Sequence, residues 1–395
     1  MFLNNQINKL KIAQVIDVYD GSTNGACIST QRFTKLLRED NHQVIILSTG
    51  KADKDKIQLE EFYLPITYIR KVMQRMKFVF AKPNKQILES IISQVDVVHN
   101  QFPFLLGITA VNIAKKMNKP VVSTYHIQAE QLMYNSGLMH PFFTKLTYKW
   151  FVHFIYNKSD VVICPSKFAQ QEIIRYGCKS KTIVISNGIT NDYYPINTTK
   201  KYPEKFTILT VGRNAKEKRQ HLIIEAIAKS KYKHQIQLVV LGDGPLRNSL
   251  EQLSENLLTN KTVFELLPTN KVIEYYNTAD LYIHAANIEV ECMTALEAMA
   301  CGLPLLIANE KRSATKQFSL SKKFLFNTVD ELVEKIDYWF ENRAELLQAK
   351  EDYLSLSQEF KIEYSYQKLI KTYRLAIQMH DKEVESIAFS QLHEA

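Results

Sequence analysis

Short apolar runs alternate with helix-length stretches along the first half of the chain. Residues 11–19 (KIAQVIDVY), 42–48 (HQVIILS), 95–100 (VDVVHN), 120–126 (PVVSTYH) and 160–166 (DVVICPS) are short, rich in Val and Ile, and followed by turn residues. Runs of this kind predict strands buried on both faces, as in parallel sheets. Each precedes a helix-length segment, and that βαβ rhythm predicts a doubly wound sheet. The rhythm restarts after Ser186-Asn187-Gly188, with 206–212 (FTILTVG), 236–244 (IQLVVLGDG) and 279–285 (ADLYIHA) as strands of a second sheet. The Asn-, Tyr-, Thr- and Lys-rich segment near 188–204 reads as a linker. The expectation is an α/β chain with two Rossmann-like doubly wound domains, 1–187 and 188–360, facing across a cleft. A helix over 361–380 and a loose tail over 381–395 follow. In open α/β sheets ligands bind at the carboxyl ends of strands, so the cleft is the default site.

A length of 395 residues suits two domains, and 46% hydrophobic with 23% charged residues excludes a disordered chain. Five scattered cysteines without CxxC or Cys/His spacing argue for a reducing compartment, and against a disulfide framework or a zinc site. The first residues lack the apolar core of a signal peptide, and no stretch approaches about 18 apolar residues. A cytoplasmic protein is expected.

The net charge of +9 suggests a nucleic acid, an anionic membrane face or a phosphorylated substrate, with plain solubility as the alternative. Its location narrows the choice. Between Ile66 and Ile92 stand Arg70, Lys71, Arg75, Lys77, Lys82 and Lys85 against one acid, Glu89. Ile66, Ile69, Met73, Met76 and Phe80 recur there at helical spacing. That pattern predicts a basic amphipathic helix in a membrane interface, with Arg70, Lys71, Arg75 and Lys77 as membrane contacts. A packing helix with solvated lysines would read the same. A second basic-aromatic stretch runs over Phe142–Phe151. No RNA- or DNA-binding motif accompanies either, so nucleic acid is not an expected partner.

Two segments of the second half carry chemistry. FTILTVG runs into Arg213-Asn214-Ala215-Lys216-Glu217-Lys218-Arg219 and then a helical stretch. A glycine at a strand end, cations and a helix N-terminus suit an anion, although a solvated turn looks similar. The second segment, 288–304 (IEVECMTALEAMACGLP), places Glu289 and Glu297 with seven residues between them, amid apolar neighbours. Buried carboxylates need partners, and sugar hydroxyls would serve.

GRNAKEK resembles the GRxxxEK segment of GT-B glycosyltransferases of family GT4, and EVECMTALE resembles their E-x7-E motif. GDGP at 242–245, SNGI at 186–189 and the Pro-Ser turn at 165–166 fall in the family's order, and the resemblance spans roughly residues 11–375. It implies a nucleotide-diphosphate-sugar donor in the C-terminal domain and retention at the anomeric carbon. By the same resemblance Arg213 and Lys218 hold the diphosphate, Glu297 binds ribose hydroxyls, and Glu289 lies by the donor sugar. Gly25, Leu267 and Thr294 complete the implied donor contacts. The chain departs from the family at Val290-Glu291-Cys292, where Gly-Phe-Gly is common, and at 264–268 (FELLP), where a glycine is common.

Asp20-Gly21-Ser22-Thr23-Asn24-Gly25 resembles the family's loop against the donor phosphate and acceptor; a plain turn is the alternative. His126 ends a strand, in TYHIQAEQL, where similar enzymes contact the transferred sugar. The implied catalytic set is His126, Glu289, Arg213 and Lys218, with Gln128 and Glu130 as acceptor contacts. Residues 96–107 and 313–318, with the His-x-Gln-x-Glu pattern, are similar to a GT4 subgroup rich in glycolipid-forming enzymes. This implies transfer of a hexose, UDP-linked, to a diacylglycerol-type lipid on the cytoplasmic membrane face. Polysaccharide assembly on a polyprenyl-linked acceptor, and an inactive sugar-nucleotide-binding or scaffold protein, are the alternatives. No metal or cofactor is expected. The one Asp-x-Asp, Asp53-Lys54-Asp55, sits in a polar run far from the donor motifs. The resemblance also has the C-terminal helix cross back to the first domain.

Overall fold

The computed structural model describes residues 9–20, 24–65, 67, 70, 73, 78–137 and 139–393. The chain divides into two compact units. One comprises Met1–Ala129, Met139–Ile185 and Tyr366–Ala395, the other Glu130–Leu138 and Ser186–Ser365.

The first unit is built on a seven-stranded parallel sheet. Its strands are β1 (Lys11–Val15), β2 (Gln43–Ser48), β3 (Lys56–Gln58), β6 (Val97–Asn100), β7 (Val121–Thr124), β8 (Val161–Cys164) and β9 (Lys181–Val184), ordered β3-β2-β1-β6-β7-β8-β9. A two-stranded antiparallel ribbon, β4 (Glu61–Phe62) and β5 (Phe80–Ala81), stands apart from it. Strands β6, β7 and β8 are buried at every position, which explains their unbroken apolar character. Helix α1 (Gly25–Glu39) starts at Asn24, whose side chain accepts the N–H of Ala26. The remaining helices of this unit are α2 (Lys85–Ile92), α3 (Leu105–Lys116), α5 (Pro141–Phe154) and α6 (Lys167–Arg175). Helix α4 (Ala129–Ser136) is assigned almost wholly to the second unit.

The second unit holds a six-stranded sheet, β12-β11-β10-β13-β15-β17, whose paired strands run parallel. Its strands are β10 (Phe206–Val211), β11 (Ile236–Leu241), β12 (Val263–Glu265), β13 (Leu281–His284), β15 (Leu305–Ala308) and β17 (Leu325–Phe326). Short β14 (Ile288–Glu289) and β16 (Arg312–Ser313) pair beside it. Helices α7 (Gln220–Lys229), α8 (Arg247–Leu257), α9 (Thr269–Thr278), α10 (Met293–Ala300), α11 (Val329–Glu341) and α12 (Arg343–Ser357) complete the unit. Both sheets reverse strand order once, between β1 and β6 and between β10 and β13. Those two switch points are where such sheets leave room for ligands.

Two expectations are corrected. Of the Ile66–Phe80 pattern, the described Thr67, Arg70 and Met73 are helical, but Phe80 is not. Phe80 and Ala81 form a strand, and Asp17 accepts the Ala81 N–H at 3.0 Å. The rings of Phe78, Phe80, Phe102 and Phe104 pack edge to face, and this tertiary contact overrides the helical spacing. Arg70 is exposed with its guanidinium 5.5 Å from the Tyr63 ring centre, while Lys71, Arg75 and Lys77 lie outside the described residues. The last helix, α13 (Ile362–His393), continues well past residue 380, since no Gly or Pro interrupts it. No helix among the described residues is long and apolar enough to cross a membrane.

Asp17 is fully buried, and burial pushes its carboxyl up to about 7, the Ala81 N–H only partly offsetting it. A native pKa above the unfolded value means the folded state binds the proton more tightly. The contribution of this carboxyl to stability is therefore full below about pH 4 and is lost as pH rises through 7. Asp17→Asn should remove that slope and raise stability at pH 8 by up to about 4 kcal/mol, at roughly 1.4 kcal/mol per unit. Melting temperatures of both proteins at pH 5 and pH 8 check it; parallel pH profiles would refute it.

Candidate functional site

The donor-type residues gather at the β10/β13 switch point of the second unit. Strand β10 ends at Val211, and Gly212 follows with φ +147°. Gly242, just past β11, has φ +142°, and a Cβ there would lie 2.0 Å from the Gly212 carbonyl oxygen. Only glycine permits this approach. The Asn214 N–H donates to Asp243 O (3.0 Å) and the Leu246 N–H to Asn214 O (3.0 Å), so the GRN and GDGP turns are interlocked. The adjoining Arg213 is braced by Glu217, at 2.9 Å, on a carboxylate that is itself fully buried.

Lys218 closes the short 3-10 turn Lys216–Lys218, and its ammonium is ion-paired with Glu289. Glu289 sits on β14, opposite Ser313 of β16, and its carbonyl accepts the Ala314 N–H at 2.9 Å. The 313–318 segment singled out in the sequence thus supports Glu289 through the backbone. Burial alone would raise the Glu289 carboxyl, but Lys218 and His284 hold it down at about 2. Burial would lower Lys218, and Glu289 outweighs it and raises the ammonium. The pair stays ionised across the neutral range.

Cys292 precedes α10, whose N-terminus has no side-chain cap. The first-turn N–H groups and the helix dipole therefore offer an uncompensated anion-binding end. Thr294 donates from Oγ1 to Val211 O (3.2 Å) and shares a 2.7 Å hydrogen bond with the Tyr282 hydroxyl, tying the start of α10 to the end of β10. One turn on, Glu297 is buried and accepts the Tyr276 hydroxyl at 3.2 Å. Leu267 is half-buried beyond β12, against the core of this unit. Arg213, Lys218, Glu289 and Thr294 are thus joined through one set of turns, with Glu297 on the following helix turn. Glu291, within the divergent stretch, is buried and accepts both the backbone N–H (2.7 Å) and the side-chain amide (2.8 Å) of Asn187.

A second polar group lies at the β1/β6 switch point of the first unit. His126 donates from Nε2 to Gln101 Oε1 (2.9 Å), and Gln101 Nε2 donates to Gln14 Oε1 (2.7 Å). Gln14 reaches Tyr373 of α13 at 3.4 Å. The Tyr373 hydroxyl meets His99 Nδ1 at 2.8 Å, and His99 Nε2 meets Thr124 at 2.7 Å. Burial lowers His126 to about 4, so the ring is neutral near pH 7. With Nε2 holding the proton toward Gln101, Nδ1 is the acceptor nitrogen. Gln128 is buried and donates from its amide to Glu172 at 3.3 Å, while Glu130 is buried and belongs to the second unit. Gly25 is the first residue of α1, and the adjoining 21–23 lie outside the described residues. Asp53 and Asp55 are exposed, away from both groups.

Sequence reasoning passed over His284, Cys292, Tyr276, Gln101 and Tyr373. Strand order and a returning C-terminal helix bring in His284, Tyr276, Gln101 and Tyr373, which no local spacing marks; Cys292 lies within the E-x7-E segment itself.

Residues 196–353 match the family model "Glycosyl transferases group 1", and residues 23–193 match "Glycosyltransferase Family 4". The chain is 27% identical, over 318 residues, to an alpha-monoglucosyldiacylglycerol synthase of Streptococcus pneumoniae, covering 75% of this chain and 70% of that one. It is 24% identical, over 323 residues, to a GDP-mannose-dependent alpha-mannosyltransferase of Corynebacterium glutamicum, covering 76% and 72%. The fold is similar to that of Anabaena HepE, crystallised with UDP and glucose, at a TM-score of 0.73 and 15% identity over 92% of this chain and 99% of that one. Two consecutive family matches that together take in all but the ends and a short join, on this fold, show that the chain belongs to the GT4 glycosyltransferases of the GT-B fold.

Proposed function

We propose that this glycosyltransferase moves a hexose, with retention, from a UDP-linked donor to the hydroxyl of a diacylglycerol-type membrane lipid. The observation that carries the donor half is the ionised Lys218–Glu289 pair beside Arg213 and the uncapped start of α10. Arg213, Lys218 and the α10 N–H groups bind the diphosphate and offset the charge that grows as it leaves. Glu297 accepts the ribose hydroxyls. The bond from the anomeric carbon to the phosphate oxygen breaks while the lipid oxygen bonds on the same face. The hydroxyl proton passes to the departing phosphate. His126, neutral and fixed by Gln101, accepts a hydroxyl of the sugar through Nδ1. No residue here is assigned to a metal. The activity named for the pneumococcal relative supports a glycerolipid acceptor.

Helix α5 supports a lipid surface as partner. Phe142, Phe143, Leu146 and Trp150 are exposed on it, Phe142 by 63%, with exposed Lys145 and Lys149 and no acidic residue between Pro141 and Phe154. Aromatic side chains with lysines suit the headgroup region of an anionic leaflet, at about 1 kcal/mol per cation. We therefore place the protein at the cytoplasmic membrane face. Phe142→Ser combined with Lys145→Glu and Lys149→Glu should lower binding to phosphatidylglycerol vesicles at least about tenfold, the lost charge term alone exceeding 1.4 kcal/mol. Vesicle flotation measures it, and undiminished flotation would rule this helix out.

Thin-layer analysis of lipid products from radiolabelled UDP- and GDP-sugars tests the whole reading. Label from UDP-hexose should appear on added diacylglycerol; label confined to polyprenyl-linked material would reject it. Glu297→Ala should weaken UDP binding by roughly 10- to 30-fold, the worth of hydrogen bonds to one charged group. Calorimetry with an unchanged affinity would remove the ribose assignment.

A further inference from the structure

The proposed transfer leaves two side chains of this site unused, His284 and Cys292, and both adjoin Glu289. His284 ends β13, Glu289 lies on β14, and Cys292 immediately precedes α10. Cys292 Sγ is 3.5 Å from His284 Nδ1, and His284 Nε2 is 3.5 Å from a Glu289 oxygen. One ligand atom from each residue can be chosen so that all three lie within 4.8 Å of one another. All three side chains are more than nine-tenths buried. His284 Nε2 is buried and faces Glu289 without a hydrogen bond of ordinary geometry.

We infer that His284, Glu289 and Cys292 form a binding site for a soft divalent cation of the Zn2+ class, and that the cation excludes the nucleotide sugar. The exclusion rests on the donor reading above, since the metal would take Glu289 and displace the Lys218 ammonium that the diphosphate needs.

The chemistry of the set carries the choice of ion. Thiolate, imidazole and carboxylate together are the ligands of zinc, whereas Mg2+ and Ca2+ select oxygen alone. Tetrahedral zinc, with bonds of roughly 2.0–2.3 Å, holds its ligand atoms roughly 3.3–3.7 Å apart. Whichever ring nitrogen binds, one of the 3.5 Å separations is already of that size, and the three chosen ligand atoms, all within 4.8 Å of one another, close by about 1 Å to reach it. The imidazole supplies one nitrogen and turns slightly to do so, and the fourth position is left to water. Thr294 Oγ1 lies 3.3 Å from Sγ, and its hydroxyl would have to turn from Val211 O to donate to the bound thiolate. On binding, the thiol proton leaves to solvent and the sulfur–metal bond forms.

The ammonium of Lys218 now occupies the Glu289 carboxylate. A divalent ion on that carboxylate repels the ammonium and draws Glu289 away from it. The diphosphate then loses its cation, and the donor and the metal become mutually exclusive. The other mixed cluster, Asp160, His380 and Glu383, has no such character. It offers no thiol, and Glu383 is exposed.

Titrating reduced, metal-free, full-length protein with Co2+ tests the site. Thiolate-to-cobalt absorption should saturate at one equivalent, and Zn2+ should bleach it. Both Cys292→Ser and His284→Gln should lower Co2+ affinity at least tenfold, with Cys292→Ser also losing the band. Cys301→Ser should keep it. UDP-glucose should raise the apparent Co2+ dissociation constant in proportion to its concentration. Absence of the band, or a band that survives in Cys292→Ser, would overturn the metal site. A band that UDP-glucose does not shift would overturn the exclusion. Thermal stabilisation of metal-free protein by UDP-glucose, measured in parallel, reports the donor reading independently: its loss would sink that reading while the cobalt band still decides the site.

Discussion

Lys218→Ala is expected to lower turnover by about two to three orders of magnitude, the worth of roughly 3–4 kcal/mol of charge stabilisation at a departing group. The ammonium is nearly buried, and burial works against its charge. Glu289 overcomes that penalty, so Lys218 remains cationic well above neutral pH. A charge held in a dry, fixed position costs little to reorganise as the diphosphate departs. Alanine removes it and leaves Glu289 facing the diphosphate with only His284 for company, so two like charges oppose each other. Donor affinity should fall less than turnover, because Arg213 and the α10 N–H groups still hold the ground state. Steady-state kinetics with varied UDP-hexose, alongside calorimetry with UDP, separate the two. Equal losses in both would make Lys218 a binding residue only, and unchanged turnover would remove it from the reaction.

Gly242→Ala is expected to destabilise the second unit by about 3 kcal/mol or more and to abolish donor binding. The new Cβ meets the Gly212 carbonyl oxygen at 2.0 Å and its carbon at 2.8 Å, both backbone atoms. Neither can step aside, because the Gly212 N–H donates to Leu241 O (2.9 Å) and the Gly242 N–H to Glu265 O (2.7 Å). Relief must come from parting the GRN and GDGP turns, and that shifts Arg213. A unit of this size should melt lower by roughly 6–12 °C. Gly177→Ala is the control: φ is +98° there, but the added methyl meets nothing within 4 Å. Calorimetric scanning that found the two variants alike would show that the close approach at Gly242 is not what fixes the turn.

The strands that could be read from the sequence are those with both faces buried, such as 160–166 and 236–244. Their apolar runs need no partner pattern to be recognised. Strand β9 (Lys181–Val184) is an edge strand only half-buried, so its composition is mixed. Strand β15 (Leu305–Ala308) is buried throughout but directly follows the E-x7-E segment and was absorbed into it. Arg213, Lys218, Glu289 and Glu297 stood out because turn and helix spacing order them locally. The brace on His126 had no such signal: Gln14 and Gln101 are 87 positions apart, and His99 and Tyr373 are 274 apart. Only sheet order and the returning helix join them. The Ile66–Phe80 pattern holds at the described Thr67, Arg70 and Met73 and fails at Phe80, where phenylalanines distant in sequence prevail over the local period.

Helix α13 begins within the second unit's span, and from Tyr366 onward it belongs to the first. Leu369, Ile370, Tyr373 and Ala376 are buried, Tyr366 bonds Asp40 at 2.7 Å, and the Tyr373 hydroxyl meets His99. During synthesis the ribosome therefore releases the amino-terminal sheet without its last layer. The whole second unit is translated before that layer emerges, tens of seconds later at ordinary elongation rates of about 5–20 residues per second. Until then His99 has no tyrosine to bond, and the faces that Leu369, Ile370 and Ala376 meet lack that cover. A message that stops short of Tyr366 would yield a complete donor unit attached to an unfinished partner.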